Sequence, residues 1–275
     1  MPAEGKTPTA IAAGFRSTDL ILVGDGEFAK SIDLLARSAA TSPRRLWIGK
    51  QPDPSAAKPT DVLHITNTEE LISIVGNGYR ARVFFAARMS QSNLFRGDKA
   101  AAVASMFRGD FTTSGQLRAL ADHLTFAGYV PSRFADVLPD HCLRVGECIG
   151  PPCDHAAHRA ATANGRAALQ QSQGTVALLG IDGDLLHKSG RAMTADDYFE
   201  SSKAKKTTSA KLAYIKSRMP LCPLDDEVIT PGLVAKIADL VKIAIVAPGM
   251  LMSDRAAVLR ACADNGLALC AAQEA

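Results

Sequence analysis

The sequence predicts an α/β protein of two domains, a Rossmann-like parallel-sheet domain first and a smaller mixed α/β domain behind it. Three observations predict this. Short runs of continuous apolar residues alternate with stretches of helical apolar spacing through the first half, as strands buried on both faces do when helices connect them. A glycine-rich turn, Gly24-Asp25-Gly26, joins the first of these runs to the first helical stretch. After a loop-rich stretch carrying Pro139, Gly146, Gly150, Pro151 and Pro152, a second set of buried-strand runs begins at Thr175.

The composition agrees with a folded chain. It has 275 residues, of which 47% are hydrophobic and 21% charged. That is enough apolar material for a sizeable core and excludes a disordered protein. A formal charge of +3 is too small to point to nucleic acid. No apolar run approaches the roughly 20 residues that a membrane helix needs. Residues 1–18 are rich in Ala, Thr, Pro and Gly and lack the apolar core of a signal peptide. They read as a flexible leader, with a cytoplasmic address and free thiols expected for the six cysteines.

In chain order, Asp19–Val23 is the first strand, and Ile32, Leu35 and Ala36 give Lys30–Ala39 a helical face. Further strands are expected at Arg45–Gly49, Val62–Ile65 and Arg82–Ala86, with a helix starting at Asn67-Thr68-Glu69-Glu70. The strand, glycine-rich turn and helix at the front make residues 19–137 a Rossmann-like domain. Gly97–Ala127 is mainly helical, interrupted near Arg108-Gly109-Asp110. Residues 138–168 form a linker and an Ala-rich helix, and residues 169–275 form the second domain. There, Thr175–Ile181 turns at Asp182-Gly183 into Asp184–His187, and Lys211–Ile215 and Lys242–Val246 are strands. Gly232–Leu240 and Asp254–Asn265 are helices, the latter entered at Ser253 and left at Gly266.

Four places offer chemistry. The first is Gly24-x-Gly26-x-x-Ala29, between a strand and a helix. Its glycines admit a close approach of backbone amides to a phosphate, and the helix N-terminus favours an anion. Asp25 and Glu27 disfavour a phosphate held without a metal, and a tight turn alone also explains the glycines. A nicotinamide or flavin is not expected, because the second strand ends in Gly49-Lys50 where a dinucleotide site wants an acid. The second place, His141, Cys142, Cys148, Cys153, His155 and His158, has zinc donor types. It has no Cys-x-x-Cys knuckle, so thiols in a linker explain it better. The third is Asp182, Asp184, His187, Lys188, Arg191, Asp196 and Asp197. Clustered carboxylates can hold a divalent ion, but a helix capped at Thr194, with Asp196 and Asp197 in its first turn, accounts for the last part equally well. The fourth, the basic run Lys203, Lys205, Lys206 and Lys211, is a solvated face or a contact for a phosphate-rich ligand or an anionic lipid surface.

Several of these pieces fall in one order. Gly232 through Ala247-Pro248-Gly249, Asp254-Arg255, Ala263-Asp264 and Gly266-Leu267 close the chain, and Gln173-Gly174-Thr175-Val176 opens its second half. With Gly190, Ala192-Met193, Lys216, Pro220, Gly24-Asp25-Gly26, Arg108-Gly109-Asp110 and Gly128-Tyr129, this order resembles the LpxI-type UDP-2,3-diacylglucosamine pyrophosphatases of lipid A biosynthesis. The resemblance covers most of the chain from Asp19, thinly. It implies a homodimer with exchanged C-terminal domains, magnesium or manganese, and a UDP-linked acyl sugar cleaved to UMP and a sugar 1-phosphate at the inner face of the cytoplasmic membrane. It puts substrate contacts at Gly24, Asp25, Gly26, Glu27, Phe28, Arg88, Gly190, Arg191, Met193 and Lys216. The family's Gly-Thr-Asp-Ala-Met acid is replaced, since Arg191 stands before Ala192-Met193. Asp184, Asp196 or Asp197 would have to supply it. The other reading is a catalytically silent relative that binds a ligand or a partner.

Overall fold

The computed structural model describes residues 14–23, 32, 36, 41, 43–48, 62–63, 76–86, 113–153, 155–170, 174–190, 193–201, 207, 209–216 and 228–273. The first sheet holds β1 (Leu20–Val23), β2 (Arg44–Ile48), β3 (Val62–Leu63), β4 (Arg82–Ala86) and β5 (Val130–Pro131) in the order β3-β2-β1-β4-β5. All its pairings are parallel. The continuous apolar runs explain this. Ile21, Val23, Phe84 and Ala86 face a cluster with the buried helical residues Ile32 and Ala36, while Leu20, Leu22, Val83 and Phe85 on the alternate positions are buried as well. Helix α1 (Thr113–Phe126) leads into β5. The helix expected at Asn67–Glu70, most of Lys30–Ala39 and the Arg108–Asp110 interruption lie outside the described residues.

Of the stretch read as a leader, residues 14–18 are described, and one of them packs into the first sheet. Phe15 is buried and stacks edge-on against Phe84 at 5.6 Å and Phe134 at 6.3 Å. Gly14 N–H donates to Val137 O at 3.0 Å, and Thr41 Oγ1 donates to Phe15 O at 2.7 Å. Of residues 14–18, Phe15 alone is buried, and it belongs to the first sheet's core. A single phenylalanine in a polar stretch shows no periodicity, so nothing in the local pattern marks it as a core residue.

Asp19 is wholly buried just before β1. Arg82, at the start of β4, donates to both of its carboxylate oxygens, from Nε at 3.0 Å and from Nη2 at 2.6 Å. Arg16 N–H adds a bond at 2.6 Å, and Arg82 Nη2 also reaches Gly14 O at 2.8 Å. The carboxylate is thus compensated by a two-pronged cation and a backbone donor.

The second sheet has β6 (Cys148–Ile149), β7 (Val176–Leu179), β8 (Leu185–Lys188), β9 (Leu212–Ile215), β11 (Ile243–Val246) and β13 (Ala268–Ala271), in the order β6-β13-β11-β9-β7-β8. Its centre, β13-β11-β9, is parallel, and its flanking strands are antiparallel. The mixed sheet agrees with the expectation. Val176 and Leu178 face one side and Ala177 and Leu179 the other. The first side is covered by α3 (Ala195–Glu200), α4 (Pro231–Ala238) and α5 (Arg255–Asn265), through Phe199, Leu233, Ile237, Val258 and Cys262. The second is covered by α2 (His155–Gln170), through Ala161 and Leu169. The linker stretch thus contributes both an edge strand and a covering helix. Gly183, with φ of 84°, turns β7 into β8 as expected. α5 is capped by Asp254, whose carboxylate accepts from Ala257 N–H, and not by Ser253.

A short parallel pair, β10 (Val228–Ile229) and β12 (Leu251–Met252), lies between the two cores. Val228 and Leu251 pack on the first, while Ile229 and Met252 pack on the second.

The cysteines depart from the expectation of free thiols. Cys148 in β6 stands directly opposite Cys270 in β13, and the two form a disulfide across 122 residues of sequence. Nothing in the spacing announces a pairing that depends on an antiparallel edge strand. Cys142, Cys153 and Cys262 stand as thiols, and burial pushes the Cys262 thiol up to about 11. Cys222 lies outside the described residues.

Two substitutions test this packing. Arg82→Ala leaves the Asp19 carboxylate buried without its cation and should cost about 3 kcal/mol in urea unfolding, with Asp19→Ala/Arg82→Ala losing less than the sum of the single changes. Gly165→Ala should gain up to about 1 kcal/mol from helix propensity. A Cβ there, however, would stand 2.4 Å from Tyr214 Cβ on the central strand β9, so a net loss of about 1–3 kcal/mol is expected, read as a lowered thermal midpoint.

Candidate functional site

The two sheets each offer one place where chain ends converge. In the first, β2 and β3 lie on one side of β1, and β4 and β5 on the other. The order reverses between β1 and β4, and in open parallel sheets the crevice beyond the carboxyl ends of such a strand pair accepts ligands. Those ends are Val23 and Ala86, directly paired and fully buried. Gly24, Asp25, Gly26, Glu27 and Phe28 follow Val23 in sequence, and Arg88 follows Ala86 by two residues. All six lie outside the described residues.

In the second sheet the carboxyl end of β9 meets the start of β7 and the end of β8. Ser189 is buried, and its Oγ accepts from Thr175 N–H at 2.7 Å and Val176 N–H at 3.0 Å. Thr175 Oγ1 donates to Met193 O at 2.6 Å. Lys216 N–H donates to Thr175 O at 2.8 Å, and its Nζ donates to Leu169 O. Burial lowers the Lys216 ammonium from its usual value. The Met193 carbonyl and the Lys216 backbone N–H thus both bond Thr175, and Gly190 follows Ser189 in sequence. Arg191, between Gly190 and Met193, lies outside the described residues. Thr175 and Ser189 were not among the expected site residues. Their signal is a hydroxyl at the start of one strand and another just past the end of its hairpin partner, next to Gly174 and Gly190, and only the β7–β8 register brings them together.

Of the three candidate acids, Asp184 lies away from this cluster, and Asp196 and Asp197 are engaged by other groups. Asp184 sits in the β7–β8 turn, at the opposite end of β8 from Gly190, and a four-residue strand separates them by about 13 Å. Asp196 accepts from Lys236 Nζ at 2.7 Å, and Lys236 also pairs with Glu200. Burial works against that ammonium, but the bonds and charges of the two acids outweigh it and raise its pKa. Asp197 accepts from Thr194 Oγ1 at 2.7 Å, while its own N–H donates back to the same hydroxyl at 3.1 Å. This is the helix cap the sequence suggests at Thr194. Tyr198, on the same helix, bonds His187 Nδ1 at 2.6 Å, and burial pushes its phenol far above the usual range.

Among the described residues no group of three His, Cys, Asp or Glu could hold a metal ion. In the stretch with zinc donor types, Cys148 is consumed by the disulfide and the Cys142 thiol faces Leu138 O at 3.5 Å. No described helix is long and apolar enough to cross a membrane. No protein-family model matches the chain, and no curated protein matches it.

Ser189→Ala leaves two buried backbone donors unpaired and should cost about 2–4 kcal/mol in chemical denaturation. Lys216 carries its own pH signature. Its folded pKa lies below the unfolded 10.5, so the unfolded chain binds more protons between the two values and stability rises with pH across that window. Measured against Lys216→Met, the natural chain should therefore gain relative stability as pH climbs towards 10.5. A difference that stays flat with pH would show that Lys216 is not desolvated.

Proposed function

We propose that the first sheet is Rossmann-like and that the chain binds a nucleotide diphosphate sugar in the crevice beyond β1 and β4. The observation that carries this reading is the reversal of strand order at that pair, with a glycine-rich segment following one strand and an arginine following the other. Backbone amides of Gly24–Phe28 would approach the diphosphate and Arg88 would offset its charge, with Arg191 and Lys216 added as the resemblance implies. The resemblance to the LpxI-type pyrophosphatases supplies the ligand class, a UDP-linked acyl sugar, and the homodimer.

The reaction in this reading is attack by water on one phosphorus, with cleavage of the P–O–P bridge to give UMP and a sugar 1-phosphate. Magnesium or manganese is the metal that the resemblance implies for this step, and Asp25 and Glu27 are the acids nearest the glycines in sequence. A second reading, a ligand-binding protein without turnover, is favoured by the engagement of Asp196 and Asp197 in an ion pair and a helix cap, and by Arg191 where the resembled family has an acid.

Incubation of the chain with a UDP-linked acyl sugar, with and without Mg²⁺ or Mn²⁺, separates the two readings. Release of UMP supports hydrolysis, and binding without UMP supports the silent form. Absence of binding by calorimetry removes both. Arginine pairs a phosphate through two parallel hydrogen bonds without a metal. Arg191→Asp is accordingly expected to weaken metal-free binding by about ten- to a hundredfold. Light scattering that gives a monomer mass at micromolar concentration would count against the dimer.

A further inference from the structure

The amino edge of the first sheet, opposite the proposed crevice, has a surface of its own. Four segments form it: residues 14–19 before β1, 41–44 before β2, 76–82 before β4, and 126–130 between α1 and β5. Spanning four adjacent strands at ~4.8 Å each, they make an edge about 15 Å wide. They carry four arginines, Arg16, Arg44, Arg80 and Arg82, and a single acid, Asp19, which Arg82 occupies. Arg16, Arg44 and Arg80 are exposed. The charge of Arg44 reaches the Tyr129 phenol, and the Tyr129 ring packs against the backbone at Gly78. Asp122 and His123, on the last turns of α1, leave the balance basic.

Two aromatic side chains stand out of this basic edge. Phe126 is 91% exposed and Tyr79 is 86% exposed, with Val130 beside them half-exposed. They are held out rigidly. Tyr79 and Arg80 are the two described non-glycine residues with positive φ, at 44° and 66°, a conformation that persists only where surroundings enforce it. Here Gly78 N–H donates to Ala127 O at 2.8 Å, Arg80 N–H to Gly128 O at 2.7 Å, and Tyr79 N–H to Asn77 Oδ1 at 3.0 Å. The same bonds, with those from Gly128 N–H to Thr125 O, Tyr129 N–H to Leu124 O and Ala127 N–H to His123 O, pair the carbonyls of His123, Leu124, Thr125, Ala127 and Gly128 around the end of α1. Its polar backbone is thereby prepared for a poorly hydrated environment.

We propose that this edge docks onto an anionic phospholipid surface, with Phe126 and Tyr79 entering the headgroup layer and Arg16, Arg44 and Arg80 meeting lipid phosphates. The charge is complementary to such a surface, and aromatic rings flanked by cations suit the boundary between water and acyl chains. The aromatics project from the turn at Tyr79 and from the last residue of α1, a protruding arrangement that suits a lipid surface better than the charged groove a nucleic acid strand requires. The surface differs from the lysine run at 203–211 that the sequence singles out. It does not depend on the ligand proposed for the β1–β4 crevice.

The test is flotation of the full chain with vesicles of phosphatidylcholine alone and of phosphatidylcholine containing phosphatidylglycerol. The natural chain should float with the anionic vesicles only, and added salt should release it. Arg16→Gln/Arg80→Gln should lower the partition coefficient by about fivefold per arginine. Tyr79→Asn/Phe126→Ser should lower it as well, with the thermal midpoint of both variants unchanged because these side chains are exposed. Asn is chosen because it tolerates the left-handed backbone. No flotation, equal flotation with neutral vesicles, or variants that float like the natural chain would overturn the proposal. So would a dimer that the same substitutions dissociate, or loss of polyuridylate binding in the variants while vesicle binding persists.

Discussion

The arrangement of the first sheet depends on one buried ion pair, between Asp19 and Arg82. These residues precede and begin the two strands between which the sheet changes direction, and their bonds lock the amino ends of β1 and β4 side by side. A wholly buried carboxylate has no inexpensive alternative partner, so the pair also selects which strand lies next to β1. The parallel ladder then carries that alignment to Val23 and Ala86. A polar contact at the amino ends of the two strands thus fixes the register that pairs Val23 with Ala86 at their carboxyl ends.

The second sheet is held differently. Its parallel centre is apolar on both faces and buried on both, while its antiparallel flanks bring together groups far apart in sequence. The β7–β8 pairing places Ser189 against the start of β7, and the β6–β13 pairing places Cys148 against Cys270. The polar convergence at Thr175, Ser189 and Lys216 is therefore a product of strand direction. Between the sheets, the two-residue strands β10 and β12 present alternate side chains to the two cores, so a short stretch of period-two sequence joins them.

The division between legible and hidden features follows interaction range. Continuous apolar runs identify β1, β2, β4, β7, β9 and β11 to within a residue or two, because a strand covered on both faces has no reason to alternate. The cap at Thr194, the turn at Gly183 and the stop at Gly266 are legible because each is a bond or a backbone angle within a few residues. The two-residue strands β5, β6, β10 and β12 are not, since so short a segment becomes a strand only through its neighbour. β13, Ala268–Ala271, has small side chains whose burial comes from position in the sheet.

The sequence by itself determined the α/β class, the strand and helix positions in the long apolar runs, and the local caps and turns, because these depend on periodicity and on contacts close along the chain. Only the tertiary structure decided that Phe15 belongs to the core, that Cys148 meets Cys270, that Asp19 holds Arg82, that Asp184 sits at the far end of β8 from Gly190, and that Tyr79 and Phe126 share one exposed edge. Each of these joins residues through strand order and register, and pairings so distant in sequence leave no trace in its local pattern.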